Sequence, residues 1–457
     1  MDFYAFAKKY HDPEQMAAGY LRVKFGNQSI DYPINPFALL RSEGVLFKLA
    51  DFHKLEGVYI PAAKSDDIPF VGINNNRPIT RQRYTAAHEL CHHFRDSDKE
   101  ISCPFSSKSS IEVFAEKFAA ALLMPMAELK AQVDRRKNIY GYVSFDDVLE
   151  IADYFGVSFQ ACVFRIAYKI HAIDGDTEAQ ALKKRISKYK PDAVRKSKHL
   201  TYTELYAGLI DNYVEQLVFK PSSHARLLFQ NEYIYSDSRM EGLDVTIEQA
   251  SEIVTDLRLK AQNSIYCKEE NEAYLSIAGH YAMYQIIFEA PVKETISVYD
   301  MMGLNGKLYS CYPHPEFGGS IRKNNTLVLG SKFETTDYRD IVKELAKIED
   351  DIKDYYSRRK EMPISEYIKH IAQTHHKITV VHPFSDGNGR TSRAFMNLQL
   401  VRAGLPPIYI KVEDKDEYMS ALSRADSLKN YDELYEVIFR VMLKSHIALT
   451  AAIEEAK

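Results

Sequence analysis

The pattern of apolar and polar positions changes character along the chain. In the first half, Gly57-Val58-Tyr59-Ile60 and Phe70-Val71-Gly72-Ile73-Asn74 are short β-branched runs bounded by turn residues, and they predict strands. Arg83 to Arg95 and Ile111 to Leu123 carry apolar residues at helical spacing. The second half is mostly helical by the same spacing, with helices expected over 247–262, 273–288, 340–356, 364–375, 391–403 and 431–448. The exception is 320–333, where Gly318-Gly319, Asn324-Asn325 and Gly330 surround Thr326-Leu327-Val328-Leu329, a hairpin pattern in a helical context.

The clearest break lies between His171 and Lys198. Ile173-Asp174-Gly175-Asp176 interrupts the apolar pattern, and of the sixteen residues 183–198 eight are basic against one Asp. This reads as a solvated basic linker over 173–199, dividing a domain of residues 1–172 from one of residues 200–457. A partner or nucleic-acid contact is the alternative use of such a run. At about 150 residues per domain, 457 residues suggest roughly three domains, with two allowed.

Composition narrows the function classes. Apolar residues make up 46% and charged residues 27%, an ordinary globular balance. Lys plus Arg is 59 against 63 for Asp plus Glu, a formal charge of −4. That balance argues against a nucleic-acid-coating protein and leaves open a single nucleotide in a pocket. The N-terminus lacks the apolar run of a secretory signal, and the most apolar stretch, Phe118 to Ala127, is about half of what a bilayer requires. Cys91, Cys103, Cys162, Cys267 and Cys311 are scattered, form no CxxC pair, and predict no disulfide framework. The expectation is a cytoplasmic protein without a membrane anchor.

Two short strings carry chemistry. His88-Glu89-Leu90-Cys91-His92 is an HExxH pattern. On a helix, positions i and i+4 share a face, so His88 and His92 are placed to ligate one zinc ion. Glu89 lies about 100° around the helix, where it can take a proton from metal-bound water. Glu112 and Glu116 follow on one face of the next helix. In metallopeptidases of the gluzincin class a second helix supplies a Glu as third ligand, and a residue one turn later braces a histidine. Glu112 is the expected ligand and Glu116 the brace, with Glu116 kept as the alternative ligand. Cys91 falls on a different face and reads as a small core residue.

With Asn76-Arg77-Pro78, Arg81 to His92 and Phe118 to Pro125, and with Asp153 to Ser158 and Phe164-Arg165-Ile166 further on, residues 15–170 resemble the ImmA/IrrE family of metallopeptidases. The resemblance implies an α+β, zincin-like fold and a zinc endopeptidase that cuts a regulatory protein. The family's Glu-x-Glu-Ala-Asn reads here as Glu112-Val113-Phe114-Ala115-Glu116.

The second string is His382-Pro383-Phe384-Ser385-Asp386-Gly387-Asn388-Gly389-Arg390-Thr391-Ser392-Arg393. Gly387-Asn388-Gly389 permits unusual backbone angles, and a helix reads from Arg390 onward. A glycine loop at a helix N-terminus aims free N–H groups at an anion. Arg390 and Arg393 share a face and suit phosphate oxygens. Asp386 is a hard ligand suited to Mg²⁺, and His382 suits a general base at neutral pH. Together they point to attack by a hydroxyl on a nucleotide phosphate.

This string matches the Fic motif HxFx(D/E)GNGRxxR at every fixed position, and the resemblance extends over about residues 200–450. It implies an all-α domain with a small β-hairpin flap, which the 320–333 segment would supply, and transfer of AMP from ATP to a Ser, Thr or Tyr hydroxyl of a target protein. His382 would be the base and Asp386 the Mg²⁺ ligand. Gly387, Asn388 and Gly389 would form the anion hole, with Arg390 and Arg393 on the phosphates. Upstream, Ser236-Asp237-Ser238-Arg239-Met240-Glu241-Gly242 resembles the family's inhibitory helix, (S/T)xxxE(G/N), expected near residues 230–242. Glu241 would then pair with Arg393. Asp237 stands where the pattern has Ser or Thr.

The sequence thus reads as a bifunctional enzyme, a protein adenylyltransferase joined to a zinc metallopeptidase. Its expected partners are protein targets and a regulatory protein as peptidase substrate, with neither membrane nor nucleic acid. Two alternatives stay open at this point: a peptidase domain that only recruits targets, and a Fic domain that mainly removes AMP.

Overall fold

The computed structural model describes residues 3–64, 67–97, 101–104, 109–175, 178–213, 223–259, 271–288, 295–313, 315–327 and 334–455. They fall into two compact units, Met1–Asn212 and Tyr213–Lys457.

The first unit is α+β. Its sheet has four strands, β1 (Leu46–Ala50), β2 (Leu55–Ile60), β3 (Phe70–Asn74) and β4 (Ile101–Pro104), in the order β1-β3-β2-β4. β1 runs parallel to β3, while β2 is antiparallel to both β3 and β4. The two strands expected from sequence are the central pair; β1 and β4 are additional. Helix α1 (Pro13–Phe25), capped by Asp12, packs on α3 (Ser110–Leu123), and α3 packs on α2 (Ile79–Arg95). The α2 helix begins four residues before the expected Arg83 because Pro78 sets the entry and its successors continue in helical register. Thirteen of the seventeen α2 residues are buried. Even Arg83 is inside: its guanidinium donates to the carbonyls of Ile34 (2.7 Å) and Gly156 (3.0 Å), which offsets the cost of burying the charge.

The segment read as a linker, 173–199, differs from that reading. It holds two helices, Ala179–Lys188 and Pro191–Ser197, that belong to the first unit, which continues to Asn212. Leu182 is fully buried, and Arg195 is buried in an ion pair with Asp153 (2.8 Å). One apolar and one paired side chain anchor helices whose other faces are basic and solvated.

The second unit is helical. Relevant to its site are α4 (Ser223–Met240), α5 (Glu272–Phe288), α6 (Asp300–Leu308), α7 (Ile364–Val381) and α8 (Asn388–Arg402). In α8 every residue from Arg390 to Arg402 is buried, so the helix is the centre of the unit and its neighbours wrap it. Of the hairpin expected over 320–333, Ile321 bridges Phe384 and the Thr335 hydroxyl donates to the Thr326 carbonyl (2.6 Å); residues 328–333 lie outside the described residues. Cys267 also lies outside them. Among the described residues no helix is long and apolar enough to cross a membrane.

The core of this unit makes stability pH-dependent. His375 on α7 is buried and hydrogen-bonded with the Tyr418 hydroxyl (2.6 Å). Burial, reinforced by the Arg393 charge, pushes its pKa down to about 3. The unfolded chain binds this proton near the ordinary pKa of about 6.5 and the folded chain does not. Acidification below that value therefore lowers stability, by about 1.4 kcal/mol per pH unit at most from this one group. Denaturant titrations between pH 7 and pH 5 will show this loss, and His375→Gln will flatten it.

Candidate metal centre and nucleotide site

In the first unit, the 3.6-residue period of α2 places His88 and His92 on one face. Their Nε2 atoms lie 3.0 Å apart. Helix α3, capped by Ser109, brings Glu112 to the same point: Oε2 is 3.1 Å from His88 Nε2 and Oε1 is 3.4 Å from His92 Nε2. Asp96, one turn beyond His92, accepts from His92 Nδ1 at 3.0 Å. That bond commits the Nδ1 proton and leaves Nε2 as a lone-pair donor directed at a second imidazole nitrogen.

The same groups set one another's charge. Burial opposes protonation of His92, yet Asp96 and Glu112 pull it up to about 9. Burial would raise Glu112, but the two histidines hold it down at about 2. Burial lowers His88. Two nitrogens and a carboxylate converging this closely could hold a metal ion, and the donor set suits zinc.

Glu89 is fully buried, and apart from the Cys103 thiol neither of its oxygens has a hydrogen-bond partner among the described residues. Burial pushes it up to about 7 against the pull of His92 and the Cys103 thiol. Its space is made by a glycine: a Cβ on Gly57 would come within 2.3 Å of Glu89 Oε1 and 2.6 Å of Thr85 Cγ2. Gly57→Ala is therefore expected to displace Glu89 and destabilise the unit by about 1–3 kcal/mol, the usual range for overpacking. Thermal denaturation reads the second effect.

Glu56, Arg81, Tyr84, Thr85 and Glu116 line the cleft over these groups. Glu56 is held by Arg77 (2.7 Å) and Arg81 (2.9 Å). Glu116 lines the cleft, but its carboxylate makes no hydrogen bond to either imidazole among the described residues. The contact to a histidine one turn away belongs to Asp96.

The second unit gathers the other string. His382 follows α7 in the left-handed conformation (φ 50°), which turns the chain into the loop before α8. Burial and the charge of Arg322 lower its pKa, so the imidazole is neutral at pH 7. Asn388 bonds both ways with the Phe384 backbone (2.8 and 2.9 Å), closing the loop into a ring. Gly387 caps α8 at φ 73°, and a Cβ there would meet Leu308 Cδ2 at 2.8 Å.

The Asp386 carboxylate accepts from the Gly387 N–H (2.7 Å) and the Tyr309 hydroxyl (2.6 Å), which hold it ionised against the effect of burial. Arg390 donates to the Tyr309 hydroxyl (3.2 Å), but its Nε is buried with no partner among the described residues. An unsatisfied guanidinium N–H beside free helix N-terminal amides fits a phosphate.

Arg393 is the exception, because it is already engaged. Its Nη2 donates to Glu241 Oε1 (2.5 Å), and its Nε to Asp237 Oδ1. The other Asp237 oxygen accepts from His280 Nε2 (2.8 Å) on α5. The Glu241 side chain is about a third exposed (35%), whereas Asp237 is at 4%.

The family model for an IrrE N-terminal-like domain matches residues 43–167, and the Fic/DOC model matches residues 295–400. The chain joins an IrrE-like domain to a Fic domain. The "Protein adenylyltransferase Fic" of Nematostella vectensis is 30% identical over 196 residues, 43% of this chain and 43% of that protein. The protein of the same name from Aedes aegypti is 48% identical over 59 residues, 13% of this chain and 12% of that one. The chain thus spans less than half the length of these relatives. A solved structure of Fic-1 (residues 134–508) from Caenorhabditis elegans covers 68% of this chain and 88% of its own, at 19% identity and a TM-score of 0.47.

Five residues of these sites were not singled out by the motifs: Asp96, Cys103, His280, Tyr309 and Arg322. Asp96 had a signal, standing four residues after His92 at the C-cap of the same helix. Arg322 donates from Nε to the His382 carbonyl (2.7 Å) and also to the carbonyl of Thr336, clamping the flap stem to the motif loop. No local pattern announces these two contacts, because the partners lie 60 and 14 residues away in the chain.

Proposed function

We propose that the second unit transfers AMP from ATP to a protein hydroxyl and that Glu241 restrains it. The observation that carries this reading is the convergence, at the N-terminus of α8, of neutral His382, ionised Asp386 and the unsatisfied Nε of Arg390. The α8 amides and Arg390 bind the phosphates. His382 takes the proton of the incoming hydroxyl; an oxygen–phosphorus bond forms at the α-phosphate, and the bond to the β-phosphate breaks, releasing pyrophosphate. Asp386 is the residue placed to hold Mg²⁺. That ion would neutralise phosphate charge when bound.

The first unit is proposed as a zinc endopeptidase. His88, His92 and Glu112 hold the ion, whose chemistry is to activate water and polarise the peptide carbonyl. Glu89, poised near neutrality, holds and passes the proton. Asp96 fixes the tautomer of His92. A regulatory protein is the proposed substrate, and a protein hydroxyl the acceptor of AMP.

Transfer is tested by incubating the chain with Mg-ATP and a cell extract in two labelled forms. Label on the α-phosphate is expected to enter protein, and label on the γ-phosphate is not. Incorporation of γ-label alone would contradict AMP transfer.

A further inference from the structure

Cys103 stands out because a strand brings it to the metal ligands. β4 is the edge strand, and its register on β2 puts Cys103 opposite Gly57. Gly57 is the position whose missing side chain makes room for Glu89. Cys103 is therefore delivered to the point where Glu89 and the histidines meet. It is buried, its Sγ lies 3.8 Å from Glu112 Oε1, and the donor atoms of His88, His92, Cys103 and Glu112 all lie within 4.8 Å of one another. A second observation points into the same spot: apart from the Cys103 thiol, neither oxygen of fully buried Glu89 has a hydrogen-bond partner among the described residues.

Resting on the zinc-site reading above, we propose that Cys103 is a fourth protein ligand of that metal, so that the site as folded is closed. Catalytic zinc sites keep one position for water or substrate, whereas four protein ligands make a closed site. A Cys-His₂-Glu set fills the tetrahedron and leaves Glu89 with no metal-bound water to deprotonate. On coordination the S–H bond breaks, the sulfur gives its electron pair to the metal, and the proton leaves to solvent. The peptidase is then latent, and it opens when the thiolate is withdrawn from the metal. The edge position of β4 suits this, because one flank of that strand is bonded to no other strand among the described residues.

The test is cobalt titration of the full chain, read by absorption. Visible ligand-field bands report metal at the histidines, and a near-ultraviolet thiolate-to-cobalt band reports sulfur on the metal. Both are expected in the parent chain. Cys103→Ser is expected to keep the visible bands and lose the near-ultraviolet one, while Cys91→Ser keeps both. Zinc-edge X-ray absorption of the parent chain needs no variant and is expected to show one sulfur at about 2.3 Å. Visible bands without the charge-transfer band, or a zinc shell of nitrogen and oxygen only, would overturn the proposal while leaving the zinc site intact. Failure of the parent chain to bind either metal would overturn the zinc-site reading and the proposal together.

Discussion

Glu241→Gly is expected to raise AMP incorporation by about ten- to a hundredfold. Arg393 is the cation that the fold holds back: Nη2 is bonded to Glu241 at 2.5 Å. A hydrogen bond between charged groups contributes about 1.5–3 kcal/mol, and each 1.4 kcal/mol is about a factor of ten in the free fraction. The partial exposure of Glu241 places the effect toward the lower end. Removing Glu241 frees Nη2 for phosphate but leaves Nε oriented by Asp237. Asp237 acts differently. It is buried between Arg393 and His280, and Asp237→Ala would break that buried pair at a cost of about 3–5 kcal/mol, with Arg393 keeping Glu241. The release is therefore specific to Glu241. Intact-mass measurement after incubation with Mg-ATP reads it as one or more AMP adducts.

In a chain whose site is opened by Cys103→Ser, Glu89→Gln is expected to reduce peptide cleavage by about 10²–10⁴-fold, the usual contribution of a positioned acid–base group, with no loss of bound zinc. Gln has nearly the same shape and fits the cavity that Gly57 leaves, but it takes up no proton. Its side chain is neutral, so the burial that pushes the Glu89 carboxyl up to about 7 costs it nothing in charge, and the fold keeps its stability. The assay is the appearance of new N-termini in a proteome-derived peptide mixture supplied with zinc. Metal analysis of the same preparations separates the role: zinc stays in Glu89→Gln and leaves in His92→Ala.

The sequence displayed what is local. His88, Glu89 and His92 are separated by one helical turn, and residues 382–393 hold a loop, a helix start and two arginines in a contiguous run. Glu112 was named through the gluzincin pattern of a second helix supplying a Glu, and the structure brings its carboxylate to 3.1 Å from His88 Nε2. Glu241 was reachable through its spacing from the inhibitory pattern, and the structure places it on Arg393.

What was not legible depends on pairing at a distance. Cys103 comes to His88, His92 and Glu112 only because β4 registers on β2, 46 residues away at Gly57, and a four-residue strand carries little pattern of its own. The alternation in β1, with Phe47 and Leu49 buried, is a weak signal over five residues. The basic segment 183–198 looked solvated because it is, on most of its surface. Its folding rests on a few contacts that composition averages away: Leu182 just before it, Tyr189 stacked on Phe159 and Arg195 paired with Asp153. At the position four before Glu241, Asp237 read as a departure from a pattern. It is instead the inner carboxylate of a buried pair, a role that only its neighbours His280 and Arg393 reveal.

The most direct test of the account is the intact mass of three proteins after incubation with Mg-ATP and a cell extract: the parent chain, Glu241→Gly, and Glu241→Gly combined with His382→Ala. The account predicts AMP adducts, on the chain itself or on extract proteins, that are strong in Glu241→Gly, weak in the parent chain and absent in the double variant. Equal modification of parent chain and Glu241→Gly, adducts that survive loss of His382, or an absence of AMP transfer by Glu241→Gly to any protein present would contradict it.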